Sequence, residues 1–420
     1  MKSSGLRELD VMVGKVRDAS REAAQWSGDF KKKLLLDVSR RILSQKKYLL
    51  RENEKEVHRA RAAGLAPAMV DRLALNEKRL IAMAEGVRMV AGLKDPVGHI
   101  LAAWTRPNGL RLKKVAVPLG VIFIIYESRP NVTVECASLC LKSSNAVILR
   151  GGREAMSSNR AFVKIFHASL RKFGAPVSAV NLVRTVDYAA VDHLLAQEGK
   201  IDLVIPRGGE KLIRRVVERS RIPVVKHYQG ICHVYIDRKA DLAKAVPITL
   251  NAKLQRPGVC NAMETLLLHR VIAEKFLRKA GPLLREGNCE IRGDAATCRI
   301  LPYAVRAKAS DYGHEFLDRV LAVKVVENLG EALDHIERYG SRHTDAIVTE
   351  DRRVADVFKA RVDSSSVMVN ASTRFSDGFE YGFGAEIGIS TDKVHARGPM
   401  GLEGLTSYKY IVEGKGQIRT

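Results

Sequence analysis

Acidic residues are scarce in this 420-residue chain: 47 aspartates and glutamates face 70 lysines and arginines, a net charge of +23. Aromatics are also few, at 6% of residues with two tryptophans, and they do not interleave with the basic runs at Lys31–Lys33, Lys46–Lys47 and Lys113–Lys114. A stacking platform for bases is therefore missing, and no nucleic acid is expected as a partner. No run approaches the roughly 20 apolar residues that a membrane span needs, so no membrane partner is expected either. The six cysteines, at 136, 140, 232, 260, 289 and 298, form no CxxC and no Cys/His ligand spacing. That pattern speaks against zinc and, in a reducing compartment, for free thiols. Met1–Leu6 passes quickly into charged residues without an apolar signal core, and a cytoplasmic location is the expectation.

What is present is a globular composition, with 46% hydrophobic and 28% charged residues, in a chain too long for one ordinary core. The first 95 residues read as helices: Leu34, Leu35, Val38, Ile42 and Leu49 recur at helical spacing, and Gly64 reads as a C-terminal cap. The next helical stretch runs from Met69 to Leu93. After residue 100, Leu110–Val117 alternates as a half-exposed strand behind the turn Pro107-Asn108-Gly109. Short apolar runs then alternate with helical segments: Val121–Tyr126, Ala146–Leu149, Val180–Val183, Asp202–Ile205 and Val224 onward. A second set comprises His233–Ile236, Thr265–His269, Leu321–Val326, Ala346–Thr349 and Val367–Val369. Two α/β units in series are predicted, each a doubly wound parallel sheet.

Four segments carry chemistry. Gln255-Arg256-Pro257-Gly258-Val259-Cys260-Asn261 places a thiol after a Pro-Gly corner and before the apolar run Met263–Leu268, outside the backbone ladder. Arg256, if aimed at the sulfur, favours the thiolate that performs nucleophilic chemistry; the competing reading is a small buried hydrophobe. Arg150-Gly151-Gly152 and Arg207-Gly208-Gly209 each follow a predicted strand. Glycines there let backbone approach a phosphate, although neither is GxGxxG. Tyr126–Asn131 gathers polar groups at a strand's carboxyl end, with Ser128 or Asn131 also readable as a helix cap. His395 and Arg397 share a glycine-rich tail, a plausible anion site.

Tyr126–Val134, Leu141–Ser143 with Asn145–Gly152, Gln255–Leu267 and His395–Val412 together resemble the γ-glutamyl phosphate reductase family of the aldehyde dehydrogenase superfamily, over nearly the whole chain. The resemblance implies an aldehyde-dehydrogenase-like fold, two doubly wound α/β domains plus a small β oligomerisation element. Residues 1–105 and 123–229 would bind the cofactor, 230–395 would carry the thiol, with its end able to return to the cofactor domain, and 106–122 with 400–420 would form the oligomerisation element of a homo-oligomer. By position, Cys260 becomes the nucleophile. Lys142, Arg150, Gly151, Gly152, Arg207, Gly208 and Gly209 fall where the superfamily holds its dinucleotide, and Glu315 near the glutamate that contacts the nicotinamide ribose. Lys226-His227-Tyr228-Gln229-Gly230 replaces the Glu-Leu-Gly-Gly motif of hydrolytic relatives and lacks its water-activating carboxylate, while Ser128 takes the place of an oxyanion-donating asparagine.

The implied reaction is NADPH-dependent reduction of L-glutamyl 5-phosphate to glutamate 5-semialdehyde through a Cys260 thioacyl enzyme, in proline biosynthesis. Backbone amides near Cys260, with Asn261, would steady the oxyanion. Arg129, Asn131, Arg256, His395 and Arg397 would bind the anionic substrate, and a glutamate 5-kinase would be the partner that supplies the labile acyl phosphate. A hydrolytic aldehyde dehydrogenase and a basic nucleic-acid-binding protein are the alternative readings.

Overall fold

The computed structural model describes residues 3–419; Met1, Lys2 and Thr420, which begin or end segments assigned above, lie outside the described residues. The chain forms two compact units, Met1–Lys226 with Gly382–Gly388 and Met400–Thr420, and His227–Tyr381 with Ile389–Pro399. The first junction falls three residues before the expected one, and the glycine-rich tail is divided between the units.

The first unit opens with five helices within residues 3–92. Ser27 caps the second, accepting the Phe30 N–H at 3.2 Å, and Gly64 at φ 71° ends the third just beyond Ala62. Strands β1 (Ile100–Thr105) and β2 (Arg111–Pro118) follow, then β3 (Val121–Tyr126), β4 (Ala146–Arg150), β5 (Val180–Leu182) and β6 (Leu203–Arg207). The last four form a parallel sheet in the order β5-β4-β3-β6. Every residue of β3 and β4 is buried, which is why both read as unbroken apolar runs rather than alternating ones. Phe123, Ile125 and Ile148 pack with Leu9, Val13 and Val16 from the first helix, each burial contributing about 1.5–3 kcal/mol. Residues after Val224 make only an isolated bridge to β6 rather than the expected strand. The helix Pro130–Lys142 starts at a proline, and its N-cap is Arg129, so neither Ser128 nor Asn131 caps it.

The second unit holds β7 (Cys232–Ile236), β8 (Met263–His269), β9 (Glu290–Gly293), β10 (Val305–Arg306), β11 (Val320–Val326), β12 (Thr344–Val348) and β13 (Ser366–Val369). All are parallel, in the order β10-β9-β11-β8-β7-β12-β13. β9 carries alternating charge (Glu290, Arg292) and so escaped the search for apolar runs. A short antiparallel pair, β14 (Ile389–Ser390) with β15 (Gly398–Pro399), brackets the loop that bears His395.

Finally β16 (Thr406–Glu413) returns to the first unit and pairs antiparallel with β2, giving the three-stranded order β1-β2-β16. This hairpin begins at Ile100 rather than at 106. No described helix is long and apolar enough to cross a membrane.

Candidate active site

Cys260 lies half-buried in the turn between the helix Leu242–Leu254 and β8. Pro257 cannot continue the helix and disfavours helical geometry at Arg256, so the chain leaves the helix there and enters β8 six residues later. The thiol therefore stands at the amino end of a buried strand.

The two ends of this turn are stapled together. Lys253 Nζ and Glu264 Oε2 are 2.6 Å apart with neither side chain exposed, joining the helix end to β8. Burial pushes the Glu264 carboxyl up to about 7 while Lys253 opposes that rise. Glu264 also accepts the Leu317 N–H at 3.2 Å. On the other side, half-buried Arg374 donates from Nε to Gln255 Oε1 at 2.8 Å and from Nη1 to Asn261 Oδ1. Gly230 packs directly on the nucleophile's backbone: a Cβ there would collide with the Cys260 carbonyl. Its N–H donates to Glu315 Oε1 at 2.9 Å, so Glu315 stands one residue away from Cys260. Behind the turn, the Cys232 thiol donates to the Cys260 carbonyl oxygen at 3.2 Å.

Four of the remaining cysteines are poor nucleophiles. Burial pushes the Cys136 thiol up to about 12 and Cys289 up to about 11, and raises Cys140 and Cys232 well above the usual thiol range. Cys298 donates to the Gly293 carbonyl at 3.4 Å. Among the described residues no group of three or more His, Cys, Asp or Glu side chains is arranged to hold a metal.

Two expected substrate and oxyanion contacts are redirected. Asn261 is buried, and its Nδ2 donates to the Ser376 carbonyl at 2.9 Å, so the side chain anchors the loop after β13 rather than facing a reacting oxygen. Arg397 is ion-paired with Asp363, Nη1 to Oδ1 at 2.8 Å, and Lys393 pairs with the same carboxylate. Its guanidinium is held by Asp363 where the sequence left it open to an anion. His395 is exposed at φ 74° in the same loop. Arg256 is exposed beside the thiol and makes no ion pair among the described residues.

In the first unit a cleft of about 690 Å³ opens at the carboxyl ends of β3 and β4. Arg72, Arg129, Arg150 and Arg153 supply its positive charge, Glu127 and Glu154 its negative charge. The switch point of the sheet, where the strand order reverses between β3 and β6, adjoins this cleft at the β3 end and is the usual ligand position in open α/β sheets. Arg150 bonds the Val186 carbonyl at 3.1 Å, and its guanidinium lies 5.3 Å from the Tyr188 ring centre. Its Nε is buried without a partner among the described residues, a donor that an anionic or ribose oxygen would satisfy. Side chains at Gly151 and Gly152 would strike Asn159 and Ser128. Cleft volume, cations and close backbone fit a dinucleotide.

Lys142 does not belong here. It is buried at the far end of β4, where its Nζ donates to the Ala91 carbonyl at 2.9 Å. A helix of thirteen residues separates it from the cleft-lining end of β3, which spacing along the chain conceals. Arg207 runs against Gly388. The amino end of the helix Glu210–Arg219 is taken by a carboxylate: Glu127 Oε1 accepts the Gly209 N–H at 2.8 Å, where a phosphate had been expected from Gly208-Gly209. Asn131 faces Glu135 at 3.0 Å. Ser128 donates to Glu154.

Residues 9–292 match the aldehyde dehydrogenase family. A γ-glutamyl phosphate reductase of Carboxydothermus hydrogenoformans is 53% identical over 412 residues, 98% of this chain and 99% of its own. The chain belongs to the γ-glutamyl phosphate reductase family. Another reductase of that family, from Aquifex aeolicus, is 49% identical over 419 residues, covering 98% of this chain and 96% of its own. The crystal structure of the reductase from Thermotoga maritima superposes with a TM-score of 0.97 at 44% identity, over 98% of this chain and all of that one. This γ-glutamyl phosphate reductase family member is thus an oxidoreductase with the aldehyde dehydrogenase fold, built for a nicotinamide cofactor.

Gly230, Arg374, Lys253 and Glu264 went unassigned in the sequence. Two residues carried a signal there: Glu127 as a polar residue at a strand's carboxyl end, and Gly230 as the last of the segment 226–230.

Proposed function

We propose that the protein reduces L-glutamyl 5-phosphate to L-glutamate 5-semialdehyde and phosphate, with NADPH, in proline biosynthesis. The observation that carries this reading is the half-exposed thiol of Cys260, in a turn with arginines on either side and no carboxylate in the adjoining segment 226–230.

The Cys260 thiolate attacks the acyl carbon; the carbon–sulfur bond forms, the bond to the phosphate oxygen breaks, and phosphate departs with that electron pair. Backbone amides of the turn lie nearest the developing oxyanion, since the Asn261 side chain is committed elsewhere. When bound, the dinucleotide supplies the hydride that reduces the acyl carbon. The resulting thiohemiacetal collapses by expelling the Cys260 thiolate and releasing the aldehyde. Arg150, Arg129 and Arg153 hold the cofactor's anionic groups, and their excess of charge favours a 2′-phosphate. Segment 226–230 brings Gly230 against Cys260 and carries no carboxylate to activate water, which favours reduction of the thioester over its hydrolysis.

The β1-β2-β16 sheet leaves Ile100, Leu101, Trp104, Tyr410, Ile411 and Val412 exposed, an apolar face suited to a second copy of this chain. The free thiols support a cytoplasmic setting, with a glutamate 5-kinase delivering the acyl phosphate.

The test is NADP reduction by pyrroline-5-carboxylate, which equilibrates with the semialdehyde. Activity strictly dependent on inorganic phosphate is expected; full activity in phosphate-free buffer would replace this reading with a hydrolytic one.

A further inference from the structure

Arg374 is the feature of the nucleophile's surroundings that the mechanism above leaves unused. It sits in the short turn Thr373–Phe375 after β13, more than a hundred residues from Cys260 in the chain. Its guanidinium is fixed at two points on the nucleophile's turn, Gln255 before the thiol and Asn261 directly after it. Asn261 in turn donates to the Ser376 carbonyl, so the arginine and the turn hold each other rigidly. Both partners are neutral. No ion pair is formed by Arg374 among the described residues, in contrast to Arg397, which is ion-paired with Asp363. Burial lowers the basicity of Arg374 most, and the neighbouring charge of Arg256 lowers it further, while Asp377 and an ionised Cys260 or Cys232 oppose the fall. Two arginines thus stand close enough to repel each other beside one nucleophilic sulfur. The carbonyl end of the helix Leu242–Leu254 adds no positive field there, because a helix C-terminus is the negative end of its dipole. Side chains must supply whatever holds an anion at this turn.

We propose that Arg374 and Arg256 together form the seat for the phosphate group that leaves, or in reverse attacks, at the Cys260 thioester, with Arg374 the fixed half and exposed Arg256 the mobile half. A guanidinium held by neutral partners keeps its full charge and its remaining N–H donors for a phosphate oxygen, and two of them match a dianion. This rests on the acyl-phosphate reading above.

The experiment measures the oxidative direction, with NADP, pyrroline-5-carboxylate and inorganic phosphate, for the wild type, Arg374→Gln and Arg374→Lys. The expected result is a KM for phosphate raised tenfold or more in Arg374→Gln, on the order of one lost charge-assisted pair, with the KM for the aldehyde within about threefold of wild type. Arg374→Lys, which keeps a charge but cannot reach Gln255 and Asn261 together, is expected to fall between the two, and it carries the test if the glutamine variant does not fold. Iodoacetamide alkylation of Cys260, run without substrate or cofactor, reports whether the turn is intact. A smaller change in phosphate KM, or equal rises in both KM values, overturns the seat and leaves Arg374 a structural clamp. A wild-type enzyme without any phosphate dependence instead overturns the acyl-phosphate reading itself.

Discussion

The first unit collects its charged cleft at the carboxyl ends of parallel strands, whereas the second presents its thiol at the amino end of one. The difference decides where positive charge comes from. At carboxyl ends the following helices turn their free N–H groups toward a ligand, and the Gly209 N–H already holds an anion there, the Glu127 carboxylate. At amino ends the preceding helices turn their carbonyls instead, as the helix Leu242–Leu254 does toward Cys260. An anionic reaction centre at that edge depends on arginine side chains, and those need anchoring of their own. The second unit accordingly spends a buried ion pair and the Gln255–Arg374–Asn261 links on one short turn.

Four substitutions set the two regions against each other. Cys260→Ser should lower turnover by about a thousandfold or more, because a serine hydroxyl without a base is a weak nucleophile, while NADPH binding to the other unit is unchanged. Turnover above roughly 5% of wild type, measured by phosphate-dependent NADP reduction, would end the thioacyl mechanism. Gly230→Ala should cost on the order of a hundredfold in kcat, since the new methyl displaces the nucleophile's carbonyl. Fluorescence titration with NADPH should show that this variant binds the dinucleotide normally; a parallel loss of both would mean that the damage is global. Arg150→Ala works in the opposite sense: NADPH affinity should fall roughly tenfold, with the rate of Cys260 alkylation by iodoacetamide unaltered. An unchanged dissociation constant would remove Arg150 from the cofactor's contacts. The smallest effect belongs to Lys142→Met, which should leave NADPH affinity within about twofold while lowering the melting temperature, because the loss falls on the Ala91 carbonyl it satisfies. A large loss of affinity would restore the role that the sequence assigned it.

The central strands of both sheets were legible because parallel strands buried on both faces must be apolar throughout, as β3 is from Val121 to Tyr126, whereas the charged β9 and the short exposed β10 at the sheet edge were not. Cys260 was legible for the same kind of local reason, a thiol between a Pro-Gly corner and a buried strand. Lys142 misled because proximity in sequence to Arg150 hid the fact that a strand has two ends. Arg397 misled because its partner, Asp363, is brought to it by the fold from 34 residues away. Arg374 stayed invisible for the converse reason: nothing in Ser372-Thr373-Arg374-Phe375 marks a residue that will bridge Gln255 and Asn261. Contacts between distant segments are set by the sheet order, which residue patterns along one strand do not encode.

The isolation of Cys260 from its five fellow cysteines has a practical use. Four thiols are silenced by burial, so once the half-exposed Cys298 is replaced by serine the chain carries one sulfur ready for a maleimide or a fluorinated alkylating tag. A single spectroscopic reporter can therefore be attached at the reaction centre of a Cys298→Ser chain, where its signal would follow each ligand as it arrives.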